Sequence, residues 1–219
     1  MNASYQQLLP RKAAALMANI TRKGMIMPSG AVKWGGAAGL AAAVLLILSA
    51  VLNQLMPAEG IVDTAGEYLY GTVVVVAYIE VIVAVLGIHA LHRGNSRYGG
   101  LGTAGSVMTI AGYAIIAVIT AISMIQDFEY LLTIQIGAAG LVLLGSLLLG
   151  VIIIRARVLP WWCGVLLIIA FPLGDVANAV FSSAENLLLA LLWGSVGFAL
   201  LSRGRAAPQP PPTRAARTT

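Results

Sequence analysis

The stretch GIHALHRGNSRYGGLGTAG, Gly87–Gly105, ends one long apolar run and begins the next. Its centre carries Arg93 and Arg97 and no acidic residue. A short cationic loop between two apolar segments is typical of a membrane protein, on the side of the bilayer where positively charged loops are retained. The stretch therefore predicts a turn between two membrane-spanning helices.

The composition agrees with a membrane protein. Of the 219 residues, 59% are hydrophobic and 10% are charged, and the mean hydropathy is +0.91, whereas soluble domains carry roughly 25% charged residues. The net charge of +5 does not indicate nucleic-acid binding, because the cations lie between apolar runs and not beside interleaved aromatic residues. The single cysteine, Cys163, excludes an intrachain disulfide and a cysteine-rich metal site.

Six segments are close to the roughly 20 apolar residues that a helix needs to cross a bilayer. Because the bilayer core offers no water to backbone groups, each segment is expected to be helical. The predicted fold class is an all-α, polytopic membrane helix bundle of six transmembrane helices. The predicted spans are 34–53, 70–92, 101–125, 132–154, 160–180 and 186–202.

The charges predict the orientation of these spans. All 13 lysines and arginines lie before the first span or after the second, fourth and sixth spans, which are on one side of a six-span protein. Positively charged loops stay in the cytoplasm, so both termini are expected there, in a multi-pass protein of the cytoplasmic (inner) membrane. The remaining loops are acidic, with Glu59, Asp63, Glu67, Asp127, Glu129 and Glu185.

These patterns divide the chain into three parts. Residues 1–31 form a basic cytoplasmic segment, either with a short helix along the inner interface or as a poorly ordered leader. Residues 32–203 form the transmembrane domain. Residues 204–219 form a proline-rich cytoplasmic tail that is expected to be disordered.

Aromatic residues mark the three cytoplasmic entries at equal intervals. Trp34, Tyr98 and Trp162 lie 64 positions apart in each case. The spacing predicts three helical hairpins, arranged as parallel repeats of about 64 residues around an axis along the membrane normal. The general preference of aromatic rings and cations for membrane interfaces explains part of the pattern without repetition.

Small residues recur on helix faces. Gly35 and Gly39 share a face of the first helix, and Gly105 and Gly112 share a face of the third. In lipid, where no hydrophobic force drives helices together, such faces let helix backbones approach closely. We expect these glycines to pack helices within the chain.

The candidate site residues are polar groups within or beside the spans. A carboxylate in a bilayer is costly and is a functional candidate by default, which selects Glu80 and Asp175. Pro172 predicts a kink in the fifth helix close to Asp175. Ser106 and Thr120 belong with Thr109 and Tyr113 to a polar stripe on the third helix. The predicted ligand- or ion-binding set, facing a cavity in the outer half, is Glu80, Thr109, Tyr113, Asp175 and Asn178, although hydrogen bonding between helices explains the same pattern.

The two histidines lie near the inner edge of the second helix. His89 points away from Glu80, since nine residues correspond to two and a half turns. One axial bond from His89 to a haem or a chlorophyll-type pigment is the less favoured interpretation, and packing or interfacial anchoring is preferred. His92 is expected at the headgroup level. No hydrolase, metalloprotease or nucleotide-binding motif is present, so no catalytic residue, metal site or cofactor is predicted.

The stretches VLGIHALHRGNSRYGGLGTAG and RARVLPWWCGVLL resemble motifs of uncharacterised six-span integral membrane proteins that are common in high-GC Gram-positive bacteria. The resemblance covers roughly residues 34–202. It implies a six-span architecture in a bacterial inner membrane, and it implies no catalytic residues.

Three functions remain open at this point. The preferred one is a non-catalytic membrane protein, either an accessory subunit with membrane partner subunits or a binder of lipid or another apolar ligand. The second is a small transporter that uses Glu80 and Asp175 to carry protons or cations. The third is an intramembrane enzyme, for which the sequence supplies no constellation of groups.

Overall fold

The computed structural model describes residues 29–55, 64–125 and 131–205, with the backbone alone described for Ser29, Asp175 and Arg205. In these ranges the chain forms helices and turns and no strand, which confirms the predicted all-α bundle. The six helices are α1 (Ser29–Leu55), α2 (Ala65–His92), α3 (Gly99–Ser123), α4 (Leu131–Ala156), α5 (Trp161–Asn178) and α6 (Ala184–Arg205). The expected interfacial helix and the expected disordered tail lie outside the described residues.

All six helices are long and apolar enough to cross a membrane, and the chain is a multi-pass membrane protein. Large apolar side chains are exposed around the bundle, among them Val44, Val107 and Leu144. In a bilayer these side chains face lipid, so their exposure to the surroundings carries no penalty.

The helix ends differ from the predicted spans for local reasons. α2 begins five residues before the predicted position 70, because Thr64 and Glu67 form a capping box in which each side chain accepts a hydrogen bond from the other's backbone N–H. α5 runs through Pro172 without interruption and ends at Asn178, two residues before its predicted end.

The helices form a closed ring. Each helix packs antiparallel against its neighbours in the chain, and α1 also packs closely against α6. Consequently one end of the bundle contains the starts of α1, α3 and α5 and the ends of α2, α4 and α6. We call this the basic end, because every described Lys and Arg side chain lies there; the opposite end, with Glu67 and Glu185, is the acidic end.

Glycines allow α1 to approach both of its neighbours. A Cβ atom added to Gly35 would lie 2.5 Å from the Cα atom of Gly87 on α2. On the other side, a Cβ atom added to Gly197 of α6 would lie 2.7 Å from the carbonyl oxygen of Gly36 and 2.9 Å from the backbone of Gly39. Because backbone atoms occupy these positions, no side chain larger than hydrogen fits.

Close approach at glycines also joins α3, α4 and α5. A Cβ atom on Gly105 would lie 2.9 Å from the backbone nitrogen of Leu149, and one on Gly112 would lie 2.6 Å from Val142. A Cβ atom on Gly150 of α4 would lie 2.6 Å from the carbonyl oxygen of Gly164 on α5. The prediction that Gly35, Gly39, Gly105 and Gly112 pack helices within the chain is confirmed.

If the chain contained a repeat of about 64 residues, the contact between Gly35 and Gly87 would recur 64 positions later. The structure does not show such a contact. The positions 64 residues after Gly35 and Gly87 are Gly99 and Val151, and a Cβ atom on Gly99 would have no neighbour within 4 Å. The repeat stays a prediction.

The three entry aromatics also have different environments. Trp34 is 74% exposed, as expected of an interfacial anchor, whereas Tyr98 is 3% exposed and packs under its own helix. At the third entry the exposed ring is Trp161 and not Trp162. The three rings at equal spacing therefore do not have equivalent environments.

Replacement of Gly197 by alanine tests the contact between α1 and α6 that closes the ring. The Gly197→Ala variant is expected to lose about 1–3 kcal/mol of stability, because the added methyl group meets backbone atoms of α1. The measurement is the thermal unfolding of the purified protein in detergent. Gly140→Ala is the matched control, since a Cβ atom there has no neighbour within 4 Å and alanine favours a helix. Equal unfolding temperatures for the two variants would contradict the contact.

Candidate functional site

A cavity of about 260 Å³ lies in the half of the bundle nearer the acidic end. Its walls come from α2, α3, α4, α5 and α6. Most of the lining is aromatic or aliphatic, and a small number of polar groups open into it. The lining residues are Tyr78, Tyr113, Ile116, Leu132, Gln135, Ile136, Ala139, Phe171, Glu185 and Leu189.

Three aromatic rings form a connected cluster beside the cavity. The centroids of the Tyr78 and Tyr113 rings lie 5.4 Å apart with an interplanar angle of 43°. The Tyr113 ring meets Trp193 of α6 edge-on, with centroids 6.2 Å apart. Such tilted arrangements of aromatic rings are attractive. Tyr113 and Trp193 are almost completely buried, so this side of the cavity is closely packed.

One polar group of this cluster is poorly satisfied. Among the described residues, the indole nitrogen of Trp193 has no hydrogen-bond partner of good geometry, although the Tyr113 hydroxyl lies close enough to interact with it. The loose pairing leaves hydrogen-bonding capacity on the Tyr113 hydroxyl, which is on the cavity wall.

The polar groups at the cavity lie close to helix starts. Gln135 is near the start of α4, and Glu185 is in the first turn of α6, where the helix dipole favours a negative charge. Glu185 also acts electrostatically on Tyr78 and Tyr113. The cavity therefore combines an apolar body with an amide and a carboxyl group towards the acidic end.

The predicted polar stripe on α3 reaches the cavity through Tyr113. Thr109 is buried one turn away, and its hydroxyl donates to the carbonyl oxygen of Gly105 at 2.8 Å. Ser106 pairs with the hydroxyl of Tyr98 at 2.5 Å. Both partners belong to α3 or to its N-cap residue, so the expected hydrogen bonds between helices are not observed for these two hydroxyl groups.

Asn178 closes the turn between α5 and α6. Its Oδ1 atom accepts a hydrogen bond from the backbone N–H of Ser183 at 2.8 Å, where Ser183 has a φ of 80°. Asn53 of α1 donates to the Ser183 hydroxyl at 2.7 Å. The geometry gives Asn178 a structural contact at the acidic end.

The structure does not bring the predicted carboxylate Glu80 together with Tyr113. Glu80 is half-buried and does not line the cavity, because it lies two residues after Tyr78 and points about 200° around the helix from it. Asp175 is a helical residue of α5, and its side chain lies outside what the structure describes.

The histidines belong to a separate cluster at the basic end. The Tyr98 hydroxyl lies 3.3 Å from Nδ1 of His89, and the Tyr98 ring stacks on His92 with centroids 5.2 Å apart. Burial raises the pKa of Tyr98, so its hydroxyl keeps a proton for hydrogen bonding at neutral pH. His92 is fully buried, and its Nδ1 atom lies 2.8 Å from the Ile88 carbonyl oxygen. Its depth at the headgroup level stays a prediction. Among the described residues no group of three metal-binding side chains occurs.

Sequence reasoning missed four cavity residues. Tyr78 and Phe171 lie within apolar runs, where an aromatic ring looks like ordinary core. Gln135 lies at the start of a span, and Glu185 was counted with the outer-loop charges. The available signal was that Glu185 lies two positions before an apolar run, which places a carboxylate at the start of a helix and close to the bundle interior.

No family model, curated protein or solved structure matches the chain.

Replacement of Asn178 by alanine tests its role in the turn. The variant leaves the Ser183 N–H without its acceptor and is expected to lose about 1 kcal/mol of stability, measured by thermal unfolding in detergent. Thr103→Ala serves as the control, because the Thr103 hydroxyl bonds only to its own helix and its loss is expected to cost less than about 0.5 kcal/mol. An Asn178→Ala variant as stable as this control would contradict the structural role.

Proposed function

We propose that the protein is a non-catalytic membrane protein that binds a small apolar ligand in the aromatic cavity. The observation that carries this proposal is the cavity itself, in which Tyr78, Tyr113 and Phe171 face Gln135 and Glu185 across about 260 Å³. Ligand sites are typically apolar pockets with a few convergent polar groups. The volume is slightly below the usual range of roughly 300–1,000 Å³ for drug-sized ligands, so a compact molecule of one or two rings fits best.

The arrangement also suggests what the ligand looks like. Tyrosine and phenylalanine rings favour a flat apolar body. An amide and a carboxyl group towards the acidic end favour a hydroxyl or another hydrogen-bond donor at one edge of the molecule. We therefore infer a ligand with an aromatic or cyclic body and a single polar group.

The other functions have weaker support. Transport by Glu80 and Asp175 stays a prediction, since Glu80 does not line the cavity. An accessory role beside partner subunits is compatible with ligand binding and stays a prediction as well. An intramembrane enzyme has the least support, because the residues that line the cavity include no serine, cysteine or histidine that could act as a nucleophile or a base.

We also propose that the protein lies in a bacterial cytoplasmic membrane with both termini in the cytoplasm. The separation of charge supports this orientation, because the described cations lie at one end of the bundle and cationic loops are retained inside. The cavity would then open towards the outer leaflet.

Filling the cavity tests ligand binding. In Ala139→Leu the larger side chain occupies the space beside Tyr78 and Phe171. We expect the variant to bind the probe 1-naphthol at least about tenfold more weakly, measured by equilibrium dialysis of radiolabelled probe against protein in nanodiscs. Ala37→Leu is the matched control, because Ala37 is exposed on α1. Equal binding by wild type, Ala139→Leu and empty nanodiscs would disprove the proposal.

Reporter fusions test the orientation. Alkaline phosphatase, which is active only outside the cytoplasm, is expected to be active when fused after Met56 and inactive when fused after Asn95 or Thr219, since the last two positions adjoin cationic segments. Activity at Thr219 or inactivity at Met56 would reverse the assignment.

A further inference from the structure

A second, larger depression lies at the basic end, far from the aromatic cavity. It occupies about 700 Å³ between the connection from α2 to α3 and the connection from α4 to α5. We call it the arginine groove. Its walls include the cations Arg97, Arg155 and Arg157 and the apolar side chains Leu101, Ile152 and Ile154.

The three arginines share this groove without an acidic residue nearby in the chain. The segments that carry the cations, residues 1–33, 93–98, 155–160 and 203–219, contain no aspartate or glutamate. Within the groove, Nη1 of Arg97 donates to the backbone carbonyl oxygen of Arg155 at 3.5 Å, which orients the cation but does not neutralise it. All three side chains are exposed, and like charges lining one depression attract an anion from outside the chain.

The backbone at Arg157 supports a role for its side chain. α4 ends at Ala156, and Arg157 follows with a φ of 54°. This left-handed conformation after a helix is the one that glycine adopts most easily. An arginine here is unfavourable for the turn, so its presence is better explained by its charge, as strained residues are concentrated at binding sites.

We propose that the arginine groove binds the headgroup of an anionic glycerophospholipid. The lipid phosphate pairs with the guanidinium groups of Arg97, Arg155 and Arg157, which suit phosphate by their planar arrays of donors. The acyl chains lie along Leu101 and Ile154. Basic pockets between membrane helices bind anionic headgroups in this way. The inference is independent of the aromatic cavity and of the ligand proposed for it.

The shape of the groove favours a lipid over a soluble phosphate. A volume of about 700 Å³ is much larger than a phosphate ion and leaves room for a headgroup with its glycerol unit. Leu101 is 59% exposed in the wall of the groove, and it continues into the lipid-facing surface of the bundle. A soluble anion would make no contact with this apolar wall, whereas the acyl chains of a bound lipid would pack against it.

Lipid retention by the full-length protein tests the proposal. The protein is purified in mild detergent, mixed with dioleoylphosphatidylglycerol or dioleoylphosphatidylcholine, and examined by native mass spectrometry. We expect the anionic lipid to be retained at least about tenfold better than the zwitterionic one. Arg157→Gly is expected to reduce retention about fivefold while folding normally, because glycine suits the backbone at this position. The double variant Arg97→Gln/Arg155→Gln is expected to reduce retention further.

Arg93→Gln provides the matched control. Arg93 is an exposed cation at the same end of the bundle and does not line the groove, so this variant should retain phosphatidylglycerol as the wild type does. Equal losses in Arg93→Gln and Arg157→Gly would overturn the proposal in favour of general charge attraction. Displacement of the lipid by millimolar inorganic phosphate would overturn it in favour of a soluble anion. Normal 1-naphthol binding by the groove variants would show that the arginine groove and the aromatic cavity are independent sites.

Discussion

Close contact between helix backbones at glycine residues is the constraint on which the rest of the structure depends. In a bilayer, apolar side chains gain little by leaving lipid for the protein interior, so helices associate through tight van der Waals packing and buried polar contacts. Gly35 against Gly87 and Gly36 against Gly197 bring α1 into backbone contact with both α2 and α6. These contacts close a ring from a chain whose other contacts are mostly between sequential helices.

Most of the close contacts that glycines make lie towards one end of the bundle. The contacts that involve Gly35, Gly197, Gly105 and Gly150 lie in the half nearer the basic end. Towards the acidic end, side chains such as Tyr78 separate the helices, and the aromatic cavity lies there. At the basic end, the arginine groove lies on the periphery of the bundle. The two candidate sites lie at opposite ends of the bundle.

The sequence was sufficient for the spans, the fold class and the packing role of several glycines, because hydropathy and small-residue spacing are local properties. The candidate site was harder to predict. Tyr113 was identified from its stripe, but Tyr78 and Glu185 join it only through contacts between distant helices. Glu80 was selected because a carboxylate is costly in a bilayer. It does not line the cavity because its side chain leaves α2 on a different face from that of Tyr78. The burial of His92 likewise depends on Tyr98, which folds back from the next connection.

The most direct test of the ring is a disulfide between its first and last helices. In the structure, a Cβ atom at Gly204 lies 3.1 Å from Cγ of Lys33, which is compatible with a disulfide between these positions. The Lys33→Cys/Gly204→Cys variant is expected to form an intramolecular cross-link in membranes under mild oxidation. Gly100→Cys/Gly204→Cys is expected to remain uncross-linked within the chain, because position 100 has open surroundings. Failure of the first pair to cross-link, or cross-linking only between separate chains, would contradict the closed ring.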